Sequence, residues 1–349
     1  MPDSPIVRLL QICPNDEAPF GALCGVYQKA AESLGLATRT VFLAPPRADR
    51  GDATYLDCDD LSETRFVAQR LAAVAGDVSA CLVICHRYRA YRIYLDSKLR
   101  AAKTVAVAHE FGFFKRWRRR LRRRIVGRGV LFAGVSQAVA DELTAAVGHA
   151  IVLSNALDLD AVGFLERDAA RATLNVPVDS WCCGYVGRLH YWKQPQLALQ
   201  GFRQARERIA DGRLTFLGDG EMRSALEQQA AGLPVSFTGF VAGAARYVKA
   251  FDVVLMTSTA REAFGMVALE AMAAGVPVIA PRHPGPVSVL GDTGYYYDDP
   301  KDIGECLVAV ARGGAVLQER RAAGVLRAQQ SFSITALAAR LDSLRYADD

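Results

Sequence analysis

Apolar residues along the chain fall in two alternating patterns: short unbroken runs, and longer stretches where they recur every third or fourth position. In the first half the unbroken runs lie at residues 7–12, 40–43, 80–85, 104–108, 131–135 and 150–153, with amphipathic stretches such as 26–34 and 137–146 between them. The second half repeats the scheme, with runs at 182–186, 213–217, 235–238, 253–257 and 278–280 and helical patterns at 196–209, 220–231 and 267–274. Short, wholly apolar runs read as strands buried on both faces, and their alternation with helices predicts parallel sheets covered on both sides. Two such series predict two doubly wound α/β domains, residues 1–160 and 161–330. The more polar segment 158–177 reads as the connection with its first helix, and 333–346 as one amphipathic terminal helix.

The length of 349 residues and an apolar content of 51% suit two packed cores. Net charge is +5, but residues 115–124 hold eight cations and no acid, so the rest of the chain sums to 5 − 8 = −3. Within that stretch Phe114, Trp117, Leu121 and Ile125 are spaced to share one helical face. Lys115, Arg116, Arg118, Arg119, Arg120, Arg122, Arg123 and Arg124 surround it. A basic amphipathic helix carrying aromatics such as Trp117 reads as a membrane-surface element. The alternative is a solvated helix packed on the core. Nucleic acid is not an expected partner, since no accompanying nucleic-acid-binding fold is visible.

The eight cysteines show no CxxC pair and no zinc-finger spacing, and Cys81, Cys85 and His86 lie in or beside an apolar run, where free cysteine behaves as a small hydrophobe. Unpaired thiols point to a reducing compartment. Residues 5–13 read as a strand rather than a signal peptide, and no uncharged stretch approaches the roughly 20 residues that cross a bilayer. The expected location is cytoplasmic, with any membrane contact peripheral.

Ligands of doubly wound sheets sit at the carboxyl ends of the strands, and the chemistry-bearing residues are concentrated there. The stretch 261–280 reads Arg-Glu-Ala-Phe-Gly-Met-Val-Ala-Leu-Glu-Ala-Met-Ala-Ala-Gly-Val-Pro-Val-Ile-Ala. A strand ends, a short loop follows, and a helix starts near Phe264 and Gly265, where free amides favour a phosphate. Glu262 precedes the helix, and Glu270, inside it, leans back toward its mouth. Carboxylates flanking an anion site suit sugar hydroxyls on either side of a diphosphate; otherwise they are a capping acid and a surface glutamate. Gly187, Arg188 and Lys193 follow the strand at 182–186 and offer two cations to a diphosphate, if they are not simply a solvated loop. Gly21, in Pro19-Phe20-Gly21, follows the first strand, and His109 follows the strand at 104–108, facing a cleft unless its role is structural. The absence of GxGxxG and GxxxxGK[ST] disfavours dinucleotide redox enzymes and P-loop NTPases. Asp-x-Asp occurs at 57–59 and 158–160, both in predicted connections, and no metal role is expected of either.

Together these motifs resemble the family-four retaining glycosyltransferases of the GT-B fold, over nearly the whole chain. The strongest element is Glu262-x7-Glu270 with Phe264-Gly265 inside it and Gly275-Val276-Pro277-Val278 after it. Gly187-Arg188-Leu189…Lys193, Phe216-Leu217-Gly218-Asp219-Gly220, Phe237-Thr238-Gly239-Phe240, and Val135-Ser136 before Ser154-Asn155 also match. The sequence departs from the pattern at Pro284-Gly285-Pro286, where paired glycines and a following glutamate are frequent, and in having Gly21 preceded by Phe20 instead of a glycine pair.

The resemblance implies two Rossmann-like domains facing a central cleft, the first binding the acceptor and the second the nucleotide-sugar. Residues 331–349 then form a terminal helix that packs back on the first domain. It implies that Glu262 holds donor-sugar hydroxyls, that Phe264, Gly265 and Met266 present backbone amides, and that Glu270 binds the ribose. Arg188 and Lys193 bind the leaving diphosphate, next to Gly187. His109 contacts the sugar near the reacting carbon, and Gly21 lies in a glycine loop near the phosphates and acceptor. The expected activity is front-face transfer with retention, without metal or other cofactor, from a nucleotide diphosphate sugar to a glycan or glycolipid. Uridine is the default base, and the setting is lipopolysaccharide or polysaccharide synthesis at the inner face of a membrane. The alternatives are a sugar-nucleotide epimerase on the same fold and a non-catalytic sugar-nucleotide-binding protein.

Overall fold

The structure, a computed structural model, describes residues 5–17, 19–47, 51, 53–126 and 129–346. The chain divides into two units. One comprises the described residues up to Ala156 together with those from Ser333 onward; the other is Leu157–Phe332.

In the first unit β1 (Arg8–Cys13), β2 (Ala37–Phe42), β3 (Ala53–Tyr55), β4 (Cys81–His86), β5 (Lys103–Ala108), β6 (Val130–Gly134) and β7 (Ile151–Val152) form one sheet. Its strand order is β3-β2-β1-β4-β5-β6-β7, parallel throughout. The helices are α1 (Phe20–Glu32), α2 (Thr64–Ala75), α3 (Arg87–Ser97), α4 (Trp117–Val126) and α5 (Gln137–Val147). β4 is buried at all six positions, which is why its sequence, Cys-Leu-Val-Ile-Cys-His, lacks the alternation of a half-exposed strand. Strand order reverses between β1 and β4, so their carboxyl ends, followed by Phe20 and Arg87, flank the crevice where such sheets take ligands.

The second unit opens with α6 (Leu159–Val162) and α7 (Arg167–Leu174), then runs β8 (Trp181–Val186), α8 (Pro195–Ala205), β9 (Gly212–Leu217), α9 (Arg223–Gln229) and β10 (Val235–Gly239). It continues β11 (Val253–Leu255), α10 (Met266–Ala273), β12 (Val278–Pro281), α11 (Pro284–Leu290), β13 (Tyr295–Tyr297), α12 (Ile303–Ala311) and α13 (Ala315–Phe332). The sheet order β10-β9-β8-β11-β12-β13 places the switch point between β8 and β11. Its core gathers Phe202, Phe216, Leu214, Leu255 and Ile279. Arg171 of α7 is fully buried. It donates to the carbonyls of Ala250 (2.9 Å) and Ser180 (2.8 Å) and pairs with Asp252 at 2.9 Å, while Asp252 also accepts from the Cys182 amide at 2.7 Å. One guanidinium therefore ties α7 to the starts of β8 and β11. Removing either partner strands a buried charge, a cost of about 3–5 kcal/mol.

The last helix, α14 (Ile334–Tyr346), belongs to the first unit and packs on α1, with Arg345 donating to the Ile6 carbonyl at 3.2 Å. Two strands had no signal in the apolar pattern. β3 is half-buried, and β13 consists of three tyrosines; each is a three-residue strand at a sheet edge. α1 starts at Phe20, six residues before the expected 26, because Pro19 sets up a helical turn ahead of the apolar periodicity. Among the described residues no helix is long and apolar enough to cross a membrane.

Candidate functional site

At the switch point of the second unit, two loops meet. The loop after β8 carries Gly187, Arg188 and a short 3-10 turn, Tyr191–Lys193. The loop after β11 carries Thr257, Thr259, Arg261 and Glu262. Thr257 Oγ1 donates to the Lys193 carbonyl at 2.8 Å, and the Thr259 amide to the Trp192 carbonyl at 3.0 Å. The Arg261 guanidinium lies 3.5 Å from the Trp192 ring centroid. With the loops so clasped, Lys193 Nζ forms an ion pair with the Glu262 carboxylate. Arg188 stands exposed, with no side-chain partner among the described residues. Its carbonyl accepts from Tyr185 Oη at 3.1 Å, which fixes the backbone at the strand end.

The first helical turn after Glu262 is open. Gly265 caps α10 at φ +101°, a left-handed conformation that an L side chain resists, and no side chain caps the helix. The amides at its start are therefore free for an anion. Phe264 is buried, its ring edge-on to Phe332 at 5.6 Å. Met266 is half-buried. Glu270 lies within α10 and its carboxylate has no hydrogen-bond partner among the described residues; burial pushes its pKa up to about 7. The residue as a whole is half-buried. Gly285 of α11 was not expected here. A Cβ there would meet the Glu262 carbonyl oxygen at 2.0 Å, so glycine is what lets α11 back the Glu262 loop. The Pro-Gly-Pro string was the available signal, and it resembled a departure from the pattern.

In the first unit His109 follows β5 and is half-buried. Its Nε2 lies 3.1 Å from His86 Nδ1, and His86 Nε2 lies 3.1 Å from Gln11 Oε1. Phe20 meets the His109 ring edge-on at 5.3 Å. Burial lowers the pKa of both histidines, His86 to about 3 and His109 well below its ordinary value; His86 and Arg87 lower His109 further, opposed by a hydrogen bond with Asn155. Gly21 is the second residue of α1 and buried, so it sits in a helical turn rather than in the expected glycine loop. The earlier start of α1, directly after Pro19, is the reason.

Residues 182–312 match the family model described as glycosyl transferases group 1. The second unit carries a group 1 glycosyltransferase domain. Over 130 residues the chain is 32% identical to a sulfoquinovosyl transferase of Arabidopsis thaliana, covering 35% of this chain and 24% of that protein. Over 101 residues it is 34% identical to a GDP-mannose-dependent alpha-(1-6)-phosphatidylinositol dimannoside mannosyltransferase of Mycobacterium tuberculosis, covering 28% and 26%. The matched segments thus span about a quarter of each relative's length. A glycosyltransferase structure from Rickettsia africae superposes with TM-score 0.81 at 15% identity, covering 97% of both chains. Anabaena HepE in complex with UDP and glucose superposes at 0.77 and 18%, covering 97% of this chain and 98% of that one. The fold is that of GT-B glycosyltransferases.

Alongside the glycosyltransferase domain, the basic stretch is less uniform than its sequence. Phe114 precedes α4 and packs among Tyr88, Phe113 and Phe132 rather than on the helix's apolar face, because the turn at Gly112 and Lys115 ends before the helix begins. Trp117 and Leu121 are exposed; the Ile125 side chain lies outside what is described. Four cations are engaged by the protein. Arg119 donates to the Phe113 carbonyl at 2.8 Å and covers Tyr88, Arg120 donates to the Phe114 carbonyl at 3.2 Å, Arg122 pairs with Asp96, and Arg123 donates to the Val147 carbonyl at 2.8 Å. Lys115, Arg116, Arg118 and Arg124 are exposed.

Of the two Asp-x-Asp strings, Asp158 caps α6 by accepting from the Ala161 amide at 3.0 Å. Among the described residues no group of three or more His, Cys, Asp or Glu side chains is placed to hold a metal ion. A cavity of about 550 Å³ beside β13 and α12 lies away from both switch-point loops, and its cations are engaged, Arg282 by Asp298 and Arg320 by the Gly294 carbonyl. It is not the candidate site.

Proposed function

We propose that the protein is a retaining glycosyltransferase that moves a sugar from a nucleotide diphosphate sugar, with uridine as the favoured base, to a glycan or glycolipid acceptor. The observation that carries the reading is the clasped pair of loops at the β8–β11 switch point. They set a cation, a carboxylate and an open helix N-terminus side by side. In this reading Arg188, Lys193 and the amides of Phe264, Gly265 and Met266 take the diphosphate and absorb the charge that develops as it leaves. Glu262 accepts from the sugar hydroxyls and Glu270 from the ribose. His109 accepts from a hydroxyl of the transferred sugar. The acceptor attacks from the face the diphosphate leaves, so configuration is retained with no covalent glutamate intermediate. The two protein cations take the electrostatic role that a metal plays elsewhere, and no cofactor is invoked.

A glycolipid acceptor, in lipopolysaccharide or other cell-surface synthesis, is supported by α4. Exposed Trp117 and Leu121 beside four exposed cations suit the cytoplasmic face of an anionic membrane. The phosphatidylinositol-mannoside substrate in the name of one relative fits a lipid acceptor, and its GDP-mannose dependence makes guanosine the competing base.

The test is a thermal-shift screen against UDP-, GDP- and dTDP-sugars without metal, with Glu270→Ala and Arg188→Ala alongside. A true donor at a hundredfold excess over its dissociation constant adds about 2.7 kcal/mol of apparent stability. Stabilisation by one nucleotide class, lost in both variants, supports the assignment; no shift at saturation refutes it. An epimerase would interconvert the donor with no acceptor present, and a sensor would bind it without turnover.

A further inference from the structure

The mechanism above uses His109 but leaves unexplained the two buried polar side chains behind it. Gln11 is fully buried in β1, and His86 is fully buried at the end of β4. Both positions are expensive for polar groups unless every hydrogen bond is directed. The directions can be read from the donors. Gln11 Nε2 lies 2.9 Å from the Cys24 carbonyl and 3.1 Å from Thr40 Oγ1. A carbonyl oxygen only accepts, so the nitrogen of this amide is fixed on that side and Oε1 faces His86. Since Oε1 only accepts, His86 Nε2 must carry a proton. Burial keeps His86 neutral, so its Nδ1 is a bare lone pair and must accept from His109 Nε2–H, 3.1 Å away. Three bonds in series therefore point one way, from His109 through His86 and Gln11 to the Cys24 carbonyl.

We propose that Gln11 and His86 lock His109 as its neutral Nε2–H tautomer, so that Nδ1 is left as a hydrogen-bond acceptor, with His86 acting as a positioning residue. The charged side chain beside this relay is Arg87, which lies over Phe20 and pairs with Glu110; the Tyr27 ring meets His86 edge-on at 5.0 Å. Asn155 also hydrogen-bonds the His109 ring. In this state His109 cannot release a proton outward; it can accept one hydrogen bond from a hydroxyl or amide. The role toward a sugar rests on the transferase reading, but the tautomer does not.

The experiment is long-range 1H–15N correlation NMR on 15N-histidine-labelled, ligand-free full-length protein, over pH 5.5 to 8. The chain has five histidines, and the His109→Gln spectrum assigns the signal. Expected is a protonated Nε2 and an unprotonated Nδ1 for His109, constant over that range. His86→Leu, which removes the acceptor, should give mixed tautomers, and His86→Asn, whose Oδ1 replaces the Nδ1 acceptor, should restore the single form. If His86→Leu fails to fold, the wild-type and His86→Asn spectra still decide. A proton on Nδ1, an imidazolium within that range, or an unchanged tautomer in folded His86→Leu overturns the proposal. With an identified donor, His86→Leu should lower kcat about tenfold, one hydrogen bond's worth, with KM for the nucleotide sugar little changed. A protein with the expected tautomer but no transfer activity would sink the transferase reading and leave the relay standing.

Discussion

Glu270 makes the site measurable without a substrate. Its pKa is raised by burial from 4.5 to about 7. Between those values the folded chain keeps a proton that the unfolded chain has lost, so stability falls as pH rises through that window. The shift of 7 − 4.5 = 2.5 units, at about 1.4 kcal/mol per unit, makes the charged form cost roughly 3 kcal/mol at pH 8 relative to pH 4.5. Glu270→Gln keeps the shape and removes the titration. Urea unfolding of wild type and variant at steps from pH 5 to 8 gives the difference in stability, from which other titrating groups cancel. Trp181 and Trp192 lie in the second unit, so fluorescence in a Trp117→Phe background follows that unit alone. The variant should gain on wild type by most of that amount between pH 5 and 7.5. A difference flat to within about 0.5 kcal/mol would refute the claim that a donor-starved carboxylate is held there. On the proposed reading ribose hydroxyls supply the missing donors and pull the pKa down, so nucleotide binding at pH 7 should release a fraction of a proton, seen as a buffer-dependent binding enthalpy.

Gly285→Ala forces the Glu262 loop to move, since the added Cβ has 2.0 Å where it needs more than 3. A loss of about 1–3 kcal/mol in stability, with weaker donor binding, is expected by thermal melting and thermal shift; wild-type values on both would show that the loop yields freely. Arg188→Ala and Lys193→Ala should each lower kcat by about a hundredfold or more, while wild-type turnover in excess EDTA stays unchanged. Metal-dependent turnover would remove the electrostatic role given to these cations. For the basic helix, Trp117→Ala with Lys115, Arg116 and Arg118 changed to Gln should abolish co-sedimentation with anionic vesicles without altering the melting temperature. Arg122→Gln should instead lower the melting temperature, because that cation is spent on Asp96; equal loss of vesicle binding in both would contradict the division.

Strand-to-helix alternation was legible because parallel strands buried on both faces are apolar along most of their length, as β8 and β12 are throughout, β4 up to His86 and β5 after Thr104. It failed where burial on both faces fails, at the edge strands β3 and β13. Glu262 and Glu270 were legible as a spacing, but the clasp that brings Lys193 to Glu262 was not. It depends on side-chain and backbone contacts between segments about 70 residues apart, which no local pattern carries. His86 was placed only in or beside an apolar run with Cys81 and Cys85; its meaning comes from Gln11 and His109, each on a different strand or strand end. The basic run misled in the opposite way. Composition counted eight equivalent cations, whereas geometry spends four of them on carbonyls, a ring and Asp96.

The resting ion pair between Lys193 and Glu262 has a consequence for how donor and product are told apart. Each group is assigned to a different part of the ligand, Lys193 to the diphosphate and Glu262 to the sugar, yet without ligand each satisfies the other. A nucleotide diphosphate lacking sugar draws Lys193 away and strands Glu262, whose side chain is 16% exposed, with no donor to replace the ammonium. A sugar nucleotide supplies hydroxyls at the same moment and leaves neither group unpaired. Leaving a buried carboxylate unsatisfied costs on the order of 1–3 kcal/mol, so the intact donor should be favoured over the spent nucleotide by about tenfold from this pair alone. Glu262→Gln removes the charge that must be re-satisfied and frees Lys193. The variant should bind UDP as well as or better than wild type and UDP-sugar worse, collapsing the ratio by about tenfold, measured by calorimetry with both ligands. If both affinities fall together, Glu262 is holding the loop rather than reading the sugar, and the coupling argued from the ion pair is wrong.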